Sequence, residues 1–424
     1  MGMARGEVGY DFECANRLMQ SSPLDLAALL RPISIVEFLS GYWESKPLVI
    51  HRDDAGFYEG LLTSSDLESI ISASDMRYPA IRLAKGGTYY PPQAYTTDIT
   101  LGRLTFNGVP DVNRISMEYG KGATISLPYL HRTWAPLRAL CAQLENALDY
   151  AAHANVYITP GEAAGFPPHY DTHEVLVLQI AGRKKWLIDE PPVKLPHTSQ
   201  EFASSGYTPG PRMMEIELAA GDFLYLPRGY VHSTTTSECH SAHVTIGINV
   251  LTWADLAREL IPSCVENEDY RRALPPGFAN RSDLRPALKQ HLTRMLREFP
   301  IDCDVLIDRA ISVVQSGRQR IPTRFRADVI AIQANSVLQT PIKHRYGTSR
   351  SKGHLIIEFD GRRFAFPQPM GDILEAMCAR ATFRVVDLAG GHDTEAALTF
   401  ARALQSIGFL QVQRVSRSDR PLMI

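Results

Sequence analysis

Apolar residues follow two rhythms along the chain. Between residues 24 and 75 they recur at three- and four-residue steps, as in Leu24, Leu26, Leu29 and Leu30, then Ile35, Phe38 and Leu39. That period predicts amphipathic helices. The run SSDLESII predicts another, with Ser65 as its N-cap. Farther on, TWAPLRALCAQLENALDY places Leu137, Leu140, Cys141, Leu144 and Leu148 on one helical face, with Thr133 as a cap. From residue 154 the rhythm shortens. NVYITP, HEVLVLQI, KKWLIDE, MEIEL, FLYLP and HVTIGINV are short β-rich runs separated by Gly and Pro turns. Several such strands without helices between them predict a sandwich or barrel.

After residue 252 the helical period returns, through WADLARELI, LRPALKQHLTRMLREF and DVLIDRAISVV, to residue 316. This block reads as a helical bundle whose exposed face suits dimerisation. In the last hundred residues HLIIEFDGRRFAFP predicts a hairpin turning at Asp360-Gly361. GDILEAMCA, FRVVDLAG and DTEAALTFARALQSIGFLQVQ follow, the last a helix ending at Gly408 and leading into a strand. Three helices with a hairpin wing resemble a winged-helix module. The chain shows no internal repeat and no low-complexity tract.

Composition narrows the function classes. A length of 424 residues accommodates two or three domains, and 45% hydrophobic content provides for a sizeable core. A formal net charge of -2 gives no global attraction to nucleic acid or anionic membrane. The winged-helix segment agrees, because DTEAALTFARALQS offers only Arg402 to a phosphate, opposed by Asp393 and Glu395. Cys14, Cys141, Cys239, Cys264, Cys303 and Cys378 lie far apart with no CxxC pair. They are expected to be free thiols rather than a zinc knuckle or redox motif. The start, MGMARGEVGYDFEC, has no apolar signal segment, Gly6 stands where a myristoylation signal needs Ser or Thr, and no window approaches a membrane span. The expectation is a soluble cytoplasmic protein.

The chemistry concentrates in GFPPHYDTHEVL, which sets His169, Asp171 and His173 on alternate positions. In a strand, residues two apart share a face, so His169 and Asp171 would project together while Tyr170 points away. Two His and one carboxylate on one side of a metal are the ligand set of iron(II) oxygenases, which leave the other positions open. A third ligand is offered 61 residues past Asp171 in GDFLYLPRGYVHS. There Gly221-Asp222 makes a turn, FLYLP a buried strand, and Pro227-Arg228-Gly229 a second turn delivering His232. An isolated HxD is common by chance; the downstream segment supplies the specificity.

The run NVYITPGEAAGFPPHYDTHEVLVLQIAGRKKW, followed by GDFLYLPRGYVH and SAHVTIGIN, resembles the JmjC-type ribosomal oxygenases, cupin-like 2-oxoglutarate oxygenases that hydroxylate ribosomal-protein side chains. The upstream GATISLPYLHRTWAPL extends the likeness. The resemblance implies an α+β chain built on a double-stranded β-helix (jelly-roll) core. Its expected parts are an N-terminal helical region at 1–88, a JmjC/cupin-like catalytic domain at 89–251, a helical dimerisation region at 252–320 and a winged-helix-like domain at 321–424. It implies that His169, Asp171 and His232 bind iron(II). Lys184 matches the cation that neutralises the 5-carboxylate of 2-oxoglutarate. Its neighbours Arg183 and Lys185 fall on the opposite face and are expected at the surface. Asn155, Tyr157 and Thr245 match the remaining cosubstrate contacts. His173 reads as a hydrogen-bonding or substrate-side residue. His240 and His243 read as packing histidines, His153 and His131 carry no assigned role, and Trp186, Phe223 and Tyr225 read as core. The segment 89–114 reads as a long loop, either a plain surface loop or a substrate-facing one offering Tyr89, Tyr90 and Arg103.

The implied activity is iron(II)-, 2-oxoglutarate- and O2-dependent hydroxylation of a protein or peptide side chain, most readily a ribosomal protein, by a homodimer. Two competitors stand beside it. One keeps the cofactors but acts on a ribosomally made natural-product precursor peptide, with N-demethylation a further outcome of the same chemistry. The other is a catalytically silent cupin that regulates through its winged helix.

Overall fold

Period-2 alternation sorts the strands after residue 150 into two faces, and the two faces meet different surroundings. In this computed structural model residues 24–260 are described apart from 74–75 and 204–206, together with most of 268–317, 332–340 and 346–412, with short gaps. The chain forms two compact units, Met1–Val250 and Leu251–Ile424.

In the first unit helices α1 (Leu26–Leu30) and α2 (Ile35–Gly41) precede strand β1 (Leu48–Ile50) and helix α3 (Ser64–Ala73). Asp25 and Ser34 cap the first two by accepting backbone N–H groups three residues on. The cap of α3 is Thr63, not the expected Ser65. Thr63 Oγ1 accepts the Asp66 N–H while Asp66 accepts the Thr63 N–H. A reciprocal box needs its acid three residues after the cap, and only Thr63 stands at that distance from Asp66.

Strands β2 (Arg82–Lys85), β3 (Thr88–Tyr89), β4 (Thr96–Leu101) and β5 (Leu104–Pro110) follow, then α4 (Val112–Gly120), β6 (Thr124–Leu127) and α5 (Ala135–Leu148). The expected loop at 89–114 is therefore largely the β4–β5 hairpin. Leu137, Leu140, Cys141, Leu144 and Leu148 of α5 are all buried, as their spacing predicts. Thr133 does not cap this helix; its hydroxyl donates to the Leu130 carbonyl, and Pro136 in the first turn removes one N–H that a cap would serve.

The barrel comes from β7 (Ala151–Thr159), β8 (Glu174–Asp189), β9 (Arg212–Ala219), β10 (Phe223–Leu226), β11 (Val231–Thr235) and β12 (Ser241–Asn249). The main sheet runs β1-β10-β8-β12-β7-β6-β2-β3, while β9 and β11 pair with β8 off that path. HEVLVLQI and KKWLIDE, read as two strands, are thus one strand shared by two sheets. Residues 174–182 pair with β10 and β12, and residues 183–189 with β9 and β11. The crossing falls at Gly182, where φ is +64 and a Cβ would lie 1.8 Å from the His240 carbonyl oxygen. No side chain fits there.

One face of these strands is apolar. Ala152, Ala154 and Val156 of β7, Leu176 and Leu178 of β8, and Val244, Ile246 and Ile248 of β12 join Leu29, Phe38, Leu137 and Leu144 of the helices in one core. Burying each large aliphatic side chain is worth about 2 kcal/mol, so the helix side holds the sheet and the opposite face is free to be polar. On that opposite face Thr159 pairs with Ser241, Tyr157 with His243, Asn155 with Thr245 and His153 with Gly247. The middle two rows line a cavity between the sheets.

The second unit has helices at Trp253–Arg258, Arg285–Arg297 and Cys303–Gly317, where the helical period predicts them. An antiparallel sheet of Tyr346–Ser351, His354–Phe359 and Arg362–Pro367 follows, with helices at Gln368–Cys378 and Thr394–Ser406. Leu355, Ile357, Leu374, Met377, Leu404 and Phe409 share its core. The Asp360-Gly361 turn and Gly408 lie outside the described residues, as does the N-terminal segment. The described cysteines, Cys141, Cys239, Cys303 and Cys378, are thiols. Among the described residues no helix is long and apolar enough to cross a membrane.

Candidate metal and cosubstrate site

The HYDTH segment is not the strand its alternation suggests. His169 and His232 instead form an isolated bridge, with His169 N–H donating to the His232 carbonyl at 3.1 Å and His232 N–H to that of His169 at 2.8 Å. Gly229 N–H donates to the Asp171 carbonyl at 3.0 Å, so the Pro-Arg-Gly turn is stitched to the HxD loop at both ends. Gly229 has φ +94, and a Cβ there would lie 2.4 Å from the Val193 carbonyl oxygen. Tyr170 points away, its hydroxyl donating to the Gln200 carbonyl at 2.9 Å.

This clamp brings the ligating atoms of His169, Asp171 and His232 within 4.8 Å of one another. His169 Nδ1 lies 2.8 Å from the Pro167 carbonyl oxygen and His232 Nδ1 3.1 Å from that of Tyr230. A ring nitrogen facing a carbonyl must carry the proton, so both Nε2 lone pairs remain for a metal. Burial, with His169 beside it, pushes His232 down to about 4. Burial opposes ionisation of Asp171, but His173, His232 and His169 outweigh it and hold the carboxyl below its usual range. Neutral imidazole at His232 and an ionised carboxylate are the forms that ligate, and the donor set of two nitrogens and one oxygen fits a divalent transition metal.

Behind this set Lys184 points inward from β8, 2% exposed. Its Nζ donates to Thr159 Oγ1 at 3.0 Å, and Thr159 meets Thr124 at 3.1 Å. Burial pushes Lys184 down to about 7. Arg183 and Lys185 pair with Glu217 and Glu215 on the other face, as period 2 requires. Asn155, Tyr157 and Thr245 line the cavity with Lys184 and all three triad residues. Asn155 Oδ1 accepts the Tyr129 N–H at 3.0 Å. A buried cation facing a cavity in which Asp171 is the one acidic lining residue fits a carboxylate ligand.

The substrate-side candidates separate. His173 lines the cavity, and its ring meets that of His153 edge-on at 5.1 Å. Both rings lie against Gly247, where a Cβ would fall 2.4 Å from His153 Cε1. Tyr89 is half-exposed with its ring 5.8 Å from that of Phe166, a lining residue. Tyr90 and Arg103 both lie outside the lining, Arg103 exposed at the β4–β5 turn. The sequence reading passed over Phe166, Thr124, Trp186 and His243 as cavity residues. A signal for two of them was present: Trp186 follows Lys184 by two, and His243 precedes Thr245 by two, so each pair shares a strand face.

The JmjC domain family matches residues 132–256. Ribosomal oxygenase 1 of Gallus gallus is 31% identical over 306 residues, covering 65% of this chain and 48% of its own length. The bifunctional lysine-specific demethylase and histidyl-hydroxylase NO66 of Drosophila persimilis is 29% identical over 306 residues, covering 68% and 42%. The chain thus spans about half the length of these curated relatives, or less. In fold, Escherichia coli ribosomal oxygenase YcfD matches with a TM-score of 0.52 at 15% identity, over 90% of this chain and 98% of its own. The chain carries a JmjC domain on a JmjC/cupin fold and is a relative of the ribosomal oxygenases.

Proposed function

We propose that the protein is an iron(II)- and 2-oxoglutarate-dependent dioxygenase that hydroxylates an amino-acid side chain of a protein or peptide, with a ribosomal protein as the first substrate to test. The observation that carries this reading is the pairing, within one cavity, of the His169, Asp171 and His232 set with buried Lys184. YcfD, crystallised with cobalt and 2-oxoglutarate or succinic acid, supports it, as do the names of the relatives.

In this reading His169, Asp171 and His232 hold iron, and Lys184 holds the 5-carboxylate of 2-oxoglutarate. Asn155, Tyr157 and Thr245 complete the cosubstrate wall. The bound metal and cosubstrate supply oxidation of a substrate C–H coupled to conversion of 2-oxoglutarate and O2 into succinate and CO2. The protein holds the ligand set rigid through the bridge and the Gly229 clamp, excludes water with Tyr157, Trp186 and Val175, and presents His173 and Tyr89 toward the substrate. The four-part organisation, with a homodimer through the helices of 252–320 and a winged-helix module in 321–424, belongs to the same proposal. So does a cytoplasmic location without nucleic-acid or membrane partners.

The test is anaerobic loading with iron(II) and 2-oxoglutarate followed by O2. Succinate release is expected, and His169→Ala or Asp171→Ala should abolish it; turnover surviving either change removes the assignment. Intact masses of ribosomal proteins from a deletion strain should lack one hydroxyl increment. If none does while succinate is still released, the ribosomal version is removed and another protein or a precursor peptide takes its place as the substrate to test.

A further inference from the structure

His243 reads from the sequence as packing, but its surroundings are those of an unfinished binding site. It is 4% exposed, lies in the cavity wall, and its Nδ1 is buried without a hydrogen-bond partner. The indole Nε1 of Trp186, whose ring stands edge-on 5.6 Å from that of His243, is likewise buried and unpartnered. On its other side His243 stacks on Tyr157 at 5.2 Å and 21°. The β7–β12 register places it one inward row from Thr159, the residue that binds Lys184 Nζ. Burial, then the charge of Lys184, then His232, hold the imidazole well below its usual range. A neutral imidazole carries one N–H, and this one sits in a group of donors: an ammonium, an indole N–H and a threonine hydroxyl. The acidic lining residue, Asp171, belongs to the metal set. Two of these groups, His243 Nδ1 and Trp186 Nε1, are buried without a partner, and the Lys184 ammonium has the Thr159 hydroxyl as its acceptor. Such unpartnered nitrogens are rare in folded proteins, and beside a buried cation they mark a missing anion.

We propose that His243 is a second cosubstrate-binding side chain, donating a hydrogen bond to the carboxylate of 2-oxoglutarate that Lys184 neutralises. The inference rests on the proposed cosubstrate and adds a residue to its site. It also gives the stack on Tyr157 a purpose, since the stack fixes the ring plane and with it the direction of the N–H. Selectivity for a dicarboxylate then comes from two groups, a charge and a directed donor.

The experiment is calorimetry on the full chain loaded with manganese(II), which reads binding and not turnover. His243→Phe keeps an aromatic ring for the stack but removes the donor, and should weaken 2-oxoglutarate about tenfold. His243→Gln restores a donor and should recover most of that loss. 2-Oxobutyrate, which lacks the distal carboxylate, should bind the native protein and His243→Phe alike. If His243→Phe does not fold by circular dichroism, His243→Leu takes its place. Equal 2-oxoglutarate affinity for native and His243→Phe protein overturns the inference, as does an equal loss for 2-oxobutyrate. A native protein that binds no 2-oxoglutarate is a separate result, and it overturns the proposed function itself.

Discussion

Lys184 is costly to hold charged, because the acceptor its Nζ reaches is a hydroxyl and burial brings it down to about 7. An anionic ligand reverses that balance. Binding requires the ammonium, and above pH 7 the free protein carries less of it with each step of pH. The dissociation constant of 2-oxoglutarate should therefore be flat below pH 7 and rise by up to about tenfold per pH unit above it. Lys184→Met should bind weakly at every pH, with the slope gone; calorimetry from pH 6 to 9 decides, and an unchanged slope in the variant removes Lys184 from the site. His173 permits a contrasting prediction. It lines the cavity beside Asp171 but stands outside the set of ligating atoms, so His173→Leu should keep one metal per chain by atomic emission while uncoupling succinate release from substrate hydroxylation. His169, Asp171 and His232 were legible because they sit in spaced motifs, and Lys184 was singled out through the family resemblance. His243 was not, since a lone histidine in a strand says nothing of which residues face it until the register with Tyr157 and Thr159 is known.

The loops that carry the metal set are braced by a largely buried ion network that joins four segments. Arg228, in the Pro-Arg-Gly turn, donates to Glu174 at the start of β8 and to Glu44 after α2, while the Tyr225 hydroxyl of β10 also donates to Glu174. Glu174 is fully buried, and burial holds its carboxyl above the usual range against Tyr225 and Arg228. Removing one partner of such a pair strands the other. Arg228→Met should cost about 3 kcal/mol by denaturant unfolding, and Arg228→Met with Glu174→Leu should recover part of it. Cooperative unfolding at native stability in the single variant would show the network to be dispensable. Gly182→Ala, at the β8 crossing, should be worse tolerated than either. The strands themselves were legible from their alternation, and so was the inward turn of Lys184 between Arg183 and Lys185. Two features were not. A continuous β8 through Gly182 needs partners on both sides to be recognised, and the bridge between His169 and His232 joins residues whose own local pattern mimics a strand.

At the scale of the molecule, the helices Arg285–Arg297 and Cys303–Gly317 leave apolar residues facing outward. Leu292 is 57% and Leu296 67% exposed on the first, and Ile307 and Ile311 about half exposed on the second. Both pairs are spaced four residues apart, so each forms a stripe on one helical face. Scattered exposed leucines need no explanation, whereas adjoining ones along a helix supply the apolar stripe that an interaction surface uses. The helical period made the stripes legible in the sequence, whereas what covers them lies beyond any period. If these stripes close the proposed homodimer, Leu292→Lys with Leu296→Lys sets like charges against the seam and removes its apolar area. Light scattering should then give twice the mass of one chain for the native protein and that of one chain for the double variant. The cavity in the first unit is built from residues 124–245, so 2-oxoglutarate affinity should survive the change. A native protein that already runs as a monomer rejects the dimer and leaves the site reading untouched, because nothing in the metal set or around Lys184 is supplied by the helices tested.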